Sequence, residues 1–491
     1  MKKTLAWLMA VLVTVGNLWG CSSNNGKASQ ATTATLESSS SESETAALSE
    51  NLSEGEEKEW FGTENGETVT LHFWGGVQPE YGYDEMVRNF NEEYKDKGIQ
   101  VEYHRYVSDS TGNLQLETYL MGGSEVDVFI GYGVAYMKKR VESNLLYNMA
   151  DKLKEYQFDL GEELGKETVK AYTFEDGGIY GFPTKYENQR WLMVNVDMFE
   201  KAGIPVPYDG WNYDEFLTAI EKLTYGEGQD KVYGMFWAMK QGFRMHKSLF
   251  GSPLGKYIVY KNDQGTEVNY DDPVYGEGLE VLKKSMDQGW AFSIEDEYSE
   301  NLTVANTFLE GKCAVSMNIS QMRLVMDQET YPHDFVTALV PGPVAMEYDT
   351  DEYRYHSNNL GTGDQICIAA NTPYPDAAFE FVMWYTKKGM VSLAKGGRFP
   401  LWKGFDQDSC VAELMNNANG TIDEQSLRNY VSIDKSKGIT ELTLYASAEI
   451  ETVYKEEEEA MCYGRQSVEE ALENICIRSN KLIADEIAAG K

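Results

Sequence analysis

Between Thr68 and Ile130 the apolar residues repeatedly change period, and that alternation constrains the fold more than any other feature of the chain. Val69, Leu71 and Phe73 alternate with polar neighbours, which is the pattern of a half-buried strand. A turn containing Gly75 and Gly76 follows. Met86, Val87, Phe90 and Tyr94 then recur at helical spacing over about Asp84 to Lys95. A second strand is expected over Ile99 to Tyr103, and a second helix over about Asn113 to Leu120. Val126 to Ile130 is short and mostly apolar, as expected of a strand in the middle of a parallel sheet. Strand–helix–strand–helix–strand is the α/β pattern, with helices crossing between sheet strands.

A second set of elements follows. Asn212 is placed to cap a helix carrying Phe216, Leu217, Ile220 and Leu223, with Glu215 in its first turn. Another helix is expected from about Gly276 to Gln288, closed by Gly289. Lys312–Met317 and Gln365–Ala370 read as strands. Asp376 opens a helix with Phe379, Val382, Met383 and Tyr385 as core. Ser467 and Glu470 form a capping box before the final helix. About 425 residues lie beyond Asn65, too many for one ordinary core, so two lobes are expected. No internal repeat of solenoid length occurs.

The N-terminal region has a different character. Lys2 and Lys3 precede an apolar run from Leu5 to Val15, too short for a comfortable membrane span of about 20 residues. Gly20–Cys21 then resembles the bacterial lipobox, in which the cysteine carries a diacylglycerol thioether, although Trp19 departs from the usual residue there. Residues 1–20 are thus expected to be a lipoprotein signal peptide, with Cys21 the lipidated residue. Residues 21–65 form a tether: no aromatic residue occurs between Ser22 and Glu59, and such a segment buries too little to offset its chain entropy. The expected location is the extracytoplasmic face of the cell membrane, held by the lipid anchor.

Composition excludes several classes. The chain carries 79 acidic and 43 basic residues, a net charge of −36, which argues against nucleic acid as a partner. Once Cys21 is set aside, Cys313, Cys367, Cys410, Cys462 and Cys476 remain, too few for a disulfide framework. The histidines are His72, His104, His246, His333 and His356, and none pairs with another at metal-ligand spacing along the sequence. There is no HExxH, CxxC, Walker loop or nucleophile elbow. With 79 carboxylates, an acidic pair has no specificity as a glycosidase signal. No catalytic residue, cofactor or metal is expected.

Several motifs, in order, resemble the family 1 extracellular solute-binding proteins of ABC importers, the group that includes maltose- and oligosaccharide-binding proteins. Val69-Thr70-Leu71-His72-Phe73-Trp74-Gly75 is similar to the family's opening strand and tryptophan. Gly122 to Val128 looks like its small-residue run into a buried Asp-Val strand. Gly178 to Pro183, Asn195 to Gly210, and Trp211 with Glu215 follow the family's order of Y-G-x-P, N-x-x-x-F-x-K-A-G and W-x-E-F. Phe308 to Val315, Ala377 to Phe381, Gly397 to Pro400, and Gly464 to Leu472 complete the match.

The resemblance implies a two-lobed α/β, periplasmic-binding-protein-like type II fold with a hinge and an interlobe cleft. Lobe 1 is expected over 66–184 plus 361–405, and lobe 2 over 189–356 plus 407–491. It further implies a non-enzymatic receptor that captures a small solute, a carbohydrate and more narrowly an oligosaccharide, and passes it to a membrane permease. A monomer is the default for such a receptor. The alternatives are a ligand-binding sensor or adhesion lipoprotein and a surface glycoside-degrading enzyme.

Sugars present apolar ring faces and a belt of hydroxyls, so a site needs flat aromatics with carboxylates and amides beside them. Loops at cleft-facing strand ends are where these belong. The candidates are Trp74 and Tyr132 after two strands, Glu187 at the crossover, Trp237 from lobe 2, Asn318 after its strand, Gly361 and Gly363 as backbone approaches, and Arg398 as a donor. Trp211 is expected to be structural. Asn318-Ile319-Ser320-Gln321 stands where the family often carries an aromatic platform; this departure counts against a maltodextrin and is compatible with a different sugar or with a platform supplied from elsewhere, such as Tyr445.

Overall fold

A computed structural model describes residues 68–107, 110–123, 125–132, 134–174, 176–186, 190–350, 364–433, 442 and 444–489. Cys21, Glu187, Gly361 and Gly363, with the whole signal and tether region, lie outside these residues. Among the described residues no helix is long and apolar enough to cross a membrane.

The opening alternation builds a sheet. β1 (Val69–Gly75) pairs in parallel with β2 (Ile99–Arg105) along its whole length, Val69 opposite Ile99 and Gly75 opposite Arg105. β3 (Val128–Tyr132) pairs in parallel with β1 on the other side. α1 (Tyr83–Glu93) and α2 (Ser110–Gly122) are the crossovers. Period two divides the side chains between faces. Val69, Leu71 and Phe73 pack with Met86 and Phe90 of α1, whereas Trp74 and Phe129 pack with Leu116 and Leu120 of α2. Each large apolar side chain removed from water in this way contributes about 1.5–3 kcal/mol.

The sheet is not wholly parallel, which corrects the expectation for β3. β10 (Asp364–Ile368) runs antiparallel beside β3, with Asp364 opposite Tyr132 and Ile368 opposite Val128. The short β4 (Phe182–Pro183) pairs antiparallel with β10, giving the order β2-β1-β3-β10-β4. The expected segment for this strand, Gln365 to Ala370, begins one residue late.

After β4 the chain passes through β5 (Lys185–Tyr186) into β6 (Leu192–Asn195) of a second sheet. That sheet has the order β7-β8-β6-β9, with β7 (Tyr233–Phe236), β8 (Cys313–Ser316) and β9 (Thr337–Val340). β7 and β8 are parallel, and β6 is antiparallel to both β8 and β9. α3 (Tyr213–Leu223) begins at Asn212 with a complete capping box to Glu215. α3, α4 (Met239–Phe250) and α5 (Pro273–Asp287) cover this sheet, together with the long C-terminal pair α8 (Ser447–Cys462) and α9 (Val468–Ala488). α9 opens on the Ser467–Glu470 capping box. The five later cysteines form no disulfide among the described residues.

The two sheets are stitched by a two-stranded ladder. β11 (Phe399–Pro400) pairs antiparallel with β5, Phe399 opposite Tyr186. Beneath it, Tyr430 of α7 (Glu424–Val431) contacts the rings of Tyr186, Trp191 and Phe399 at 5.5, 5.1 and 4.9 Å. α6 (Pro375–Trp384) backs the first sheet, while α7 returns to the second, where the Ser426 hydroxyl accepts the Leu339 amide at 3.0 Å. A single buried cluster therefore runs from Phe73 and Ile130 through the crossing to Met193 and Leu339.

The interior of the second sheet's helical layer is polar at one point. His246 and Glu458 are fully buried, with Nδ1 3.0 Å from a Glu458 carboxylate oxygen and Nε2 2.9 Å from the Trp237 carbonyl oxygen. Nearby, the buried Glu297 carboxylate accepts the first amides of α4, from Met239 and Lys240, both at 2.7 Å. A carboxylate there satisfies the amides that a helix start leaves without partners.

Candidate functional site

The C-terminal ends of β1 and β3, the start of β10 and the β5–β11 ladder meet at one place. In an open α/β sheet this carboxyl edge is where ligands bind. Tyr132, the last residue of β3, accepts the Gly76 amide through its hydroxyl at 2.9 Å. Gly75 lets the chain end closely against Tyr103, whose hydroxyl would stand 2.8 Å from a β-carbon at that position. The Tyr103 hydroxyl donates to the Val77 carbonyl at 2.6 Å, and its ring stacks on Tyr83 at 4.6 Å.

Asp364 stands opposite Tyr132 in the sheet and gathers two cations. Lys185 Nζ lies 3.1 Å from its carboxylate and Arg398 Nε 3.8 Å, and all three side chains are mostly buried. Burial opposes the charge on Arg398, but the Asp364 carboxylate beside it favours that charge and its pKa is raised. Burial likewise raises the pKa values of Tyr83 and Tyr132, so both remain neutral phenols able to donate or accept. The Tyr132 phenol, one carboxylate and two cations on rigid strand ends form a hydrogen-bonding surface for a polar solute, while Tyr83, 1% exposed, packs in the core beneath them.

The second sheet approaches this surface from one side. Asn318 follows β8 in the left-handed conformation, and its side-chain oxygen accepts the Ser320 hydroxyl. Arg323 donates to the Ser320 carbonyl at 2.9 Å, and its guanidinium lies 5.9 Å from the Tyr81 ring, which precedes α1. A β-carbon at Gly397 would sit 3.7 Å from the Ser320 carbonyl oxygen. The Asn318 turn thus adjoins the segment that carries Arg398.

Among the residues singled out from the sequence, the fold brings Tyr132 and Arg398 together around Asp364, whereas Asn318 is buried, at 2% exposure, in the turn that adjoins Gly397. The two tryptophans go elsewhere. Trp237 is 1% exposed; its Nε1 donates to the Ser285 hydroxyl at 2.8 Å, and Phe216 and His246 meet its ring at 5.7 Å each. The alternation of β7 runs one residue past its end, so Trp237 shares the helix-covered face of Met235 and has no ring face to offer a solute. Trp74 is 7% exposed, packed under α2, with Nε1 donating to the Glu125 carbonyl at 2.6 Å and the ring stacked on His104 at 5.6 Å. Trp211 is buried, and its Nε1 donates to the Pro341 carbonyl at 2.9 Å. The Tyr445 carbonyl accepts the Tyr260 hydroxyl at 2.7 Å, and the ring packs with the second sheet's core.

Sequence reasoning missed Lys185 and Asp364. Lys185 carried a signal, since it follows Pro183 at the crossover; Asp364 carried none until β10 was placed beside β3. It also missed that strand pairing brings His72 and His104, which do not stand at metal-ligand spacing along the sequence, to 2.9 Å. A separate cavity of about 230 Å³, lined by Glu162, Leu401, Lys403 and Phe405 among others, shares no residue with the Asp364 cluster. It is below the roughly 300–1,000 Å³ usual for small-molecule sites.

Solved structures share this architecture. A sugar transporter protein from Rhizobium etli, in an open conformation, is 18% identical, with a TM-score of 0.65 over 85% of this chain and 99% of its own. An ABC substrate-binding protein from Listeria monocytogenes in complex with cycloalternan is 19% identical, with a TM-score of 0.63 over 85% of this chain and 100% of its own. The sugar-binding protein MalE from Xanthomonas citri is 16% identical, with a TM-score of 0.61 over 86% and 99%. No curated protein sequence matches significantly. The fold is therefore the two-lobed one of periplasmic-binding-protein-like receptors. Because the family model described as bacterial extracellular solute-binding protein matches residues 74–391, about two thirds of the sequence, the chain belongs to that family.

Proposed function

We propose that this chain is the receptor of an ABC importer, binding a carbohydrate, and more narrowly an oligosaccharide, between its two lobes and releasing it to a membrane permease. The observation that carries this reading is the Asp364–Lys185–Arg398 cluster with Tyr132 at the sheet's carboxyl edge, beside the ladder that joins the sheets. The Tyr132 phenol suits a sugar face, and charged donors and acceptors suit hydroxyls. The cycloalternan held by the Listeria relative supports the ligand class.

In this reading the lobes comprise 66–184 plus 361–405 and 189–356 plus 407–491, and ligand closes them about the crossing segments. Glu187 and Gly361, outside the described residues, belong to the proposed ligand contacts as the family resemblance implies. Cys21 carries the lipid that holds a monomeric receptor at the extracytoplasmic face. The chain binds without turnover.

The test is a thermal-shift screen of the protein from residue 60 onward against mono- and oligosaccharides, with assay for sugar release. A ligand that binds only the folded state, at a hundredfold excess over its Kd, stabilises by about 2.7 kcal/mol. A shift with an oligosaccharide, unchanged sugar afterwards and loss of the shift in Arg398→Gln support the reading. No shift with any sugar sinks the carbohydrate assignment, and released product sinks the receptor assignment.

A further inference from the structure

The full-length parallel pairing of β1 with β2 sets His72 opposite Glu102 and Trp74 opposite His104. Glu102 and His104 are two residues apart on one strand, so all three potential ligands stand on the same face of the sheet. His72 Nδ1 is 2.9 Å from His104 Nε2 and 3.9 Å from a Glu102 carboxylate oxygen, and the three ligand atoms all lie within 4.8 Å of one another. Ligands bound at about 2.0–2.1 Å to a tetrahedral ion stand about 3.3 Å apart. The observed spacings bracket that value.

The surroundings hold the ligands and leave an opening. The His104 ring is stacked on Trp74 at an interplanar angle of 26°, and the Trp74 indole is itself fixed by the Glu125 carbonyl. The His72 amide donates to Asp127 at 2.8 Å, and Asp127 accepts the Thr372 hydroxyl at 2.5 Å, which pins β1 at the ligand. The His72 side chain is 29% exposed and that of Glu102 63%, so the cluster opens to solvent on the Glu102 side. Two imidazole nitrogens in hydrogen-bond contact require at least one neutral acceptor, and a neutral imidazole is the form that binds a metal. Two imidazoles with one carboxylate suit a zinc-class ion rather than calcium or magnesium, which favour oxygen ligands.

We propose that His72, Glu102 and His104 form a binding site for one divalent transition-metal ion, with water in the fourth position. The site is distinct from the Asp364 cluster and shares no residue with it. An ion there ties the edge strand β2 to β1 directly beside Trp74.

The test is titration of the protein with Co²⁺, followed by absorption, with Zn²⁺ as competitor. One Co²⁺ per chain with the intense ligand-field bands of tetrahedral coordination, displaced by Zn²⁺, is the expected result. His104→Gln and His72→Gln are expected to abolish the bands. Glu102→Gln, at an exposed position, should weaken binding at least as much as loss of a supporting partner does, about 10- to 100-fold. His333→Gln should change nothing, because His333 instead contacts Gln328 and the Tyr331 carbonyl. Absence of stoichiometric binding overturns the proposal. So does binding that persists unchanged in the folded Glu102→Gln and His104→Gln proteins, which would assign the ion to the acidic surface.

Discussion

The two sheets treat histidine in opposite ways. On the first, His104 loses water to burial and faces His72, so both effects depress its pKa. Behind the second, His246 is more deeply buried, which alone would depress its pKa, yet the Glu458 carboxylate outweighs burial and raises it. The more buried imidazole is the one that holds its proton more tightly. The lesson is that partner charge, not exposure, decides the protonation state when a carboxylate lies 3.0 Å away.

That contrast can be broken most forcefully in the second lobe. Glu458→Ala removes one partner from a fully buried pair and should cost about 3–5 kcal/mol in urea unfolding; a cost below about 1 kcal/mol would show that the pair carries no charge. Trp237→Ala should cost a similar amount, about 3–5 kcal/mol, as a cavity in that core, while leaving ligand affinity within error. Arg398→Gln should do the reverse. It removes a charged donor worth about 1.5–3 kcal/mol, which lowers ligand affinity roughly tenfold to hundredfold by calorimetry, with a smaller change in melting temperature.

The pH response sharpens the comparison further. An ordinary histidine titrates near about 6.5. The His104 pKa is lowered in the fold, so its contribution is present above that pH and is lost as pH falls through the folded value. The His246 pKa is raised, so its contribution is full below about 6.5 and is lost as pH rises through the folded value. The melting-temperature advantage of wild type over His104→Gln should therefore shrink on acidification, and that over His246→Gln should shrink on alkalinisation. Parallel trends in the two variants would refute the opposite assignments. The smallest effect is expected from Glu102→Gln without metal, within about 0.5 kcal/mol by thermal unfolding, since its side chain is mostly in water.

What was legible in the sequence was local. Val69, Leu71 and Phe73 announce a strand because period two is written in consecutive residues, and the Asn212–Glu215 and Ser467–Glu470 boxes announce helix starts because both partners lie within one turn. What was illegible depended on register between distant segments. Asp364 meets Lys185 and Arg398 only once β10 lies beside β3 and β11 beside β5. His72 and His104 meet only because β1 and β2 pair in this register. Trp237 misled because a tryptophan just past a strand end looks the same in sequence whether the last alternation points to a cleft or to a helix.

β10 also makes the first sheet depend on a distant part of the chain. The first sheet begins at Val69, but the strand that covers β3 starts only at Asp364, after the whole second sheet has been made. Until then the nascent first sheet ends on Val128-Phe129-Ile130, an apolar edge with unpaired backbone groups and no charge to guard it. Contacts closed over such long stretches of chain are slow to form. A fragment ending before Asp364 lacks the strand that covers β3 and is expected to be prone to misassociation at that edge.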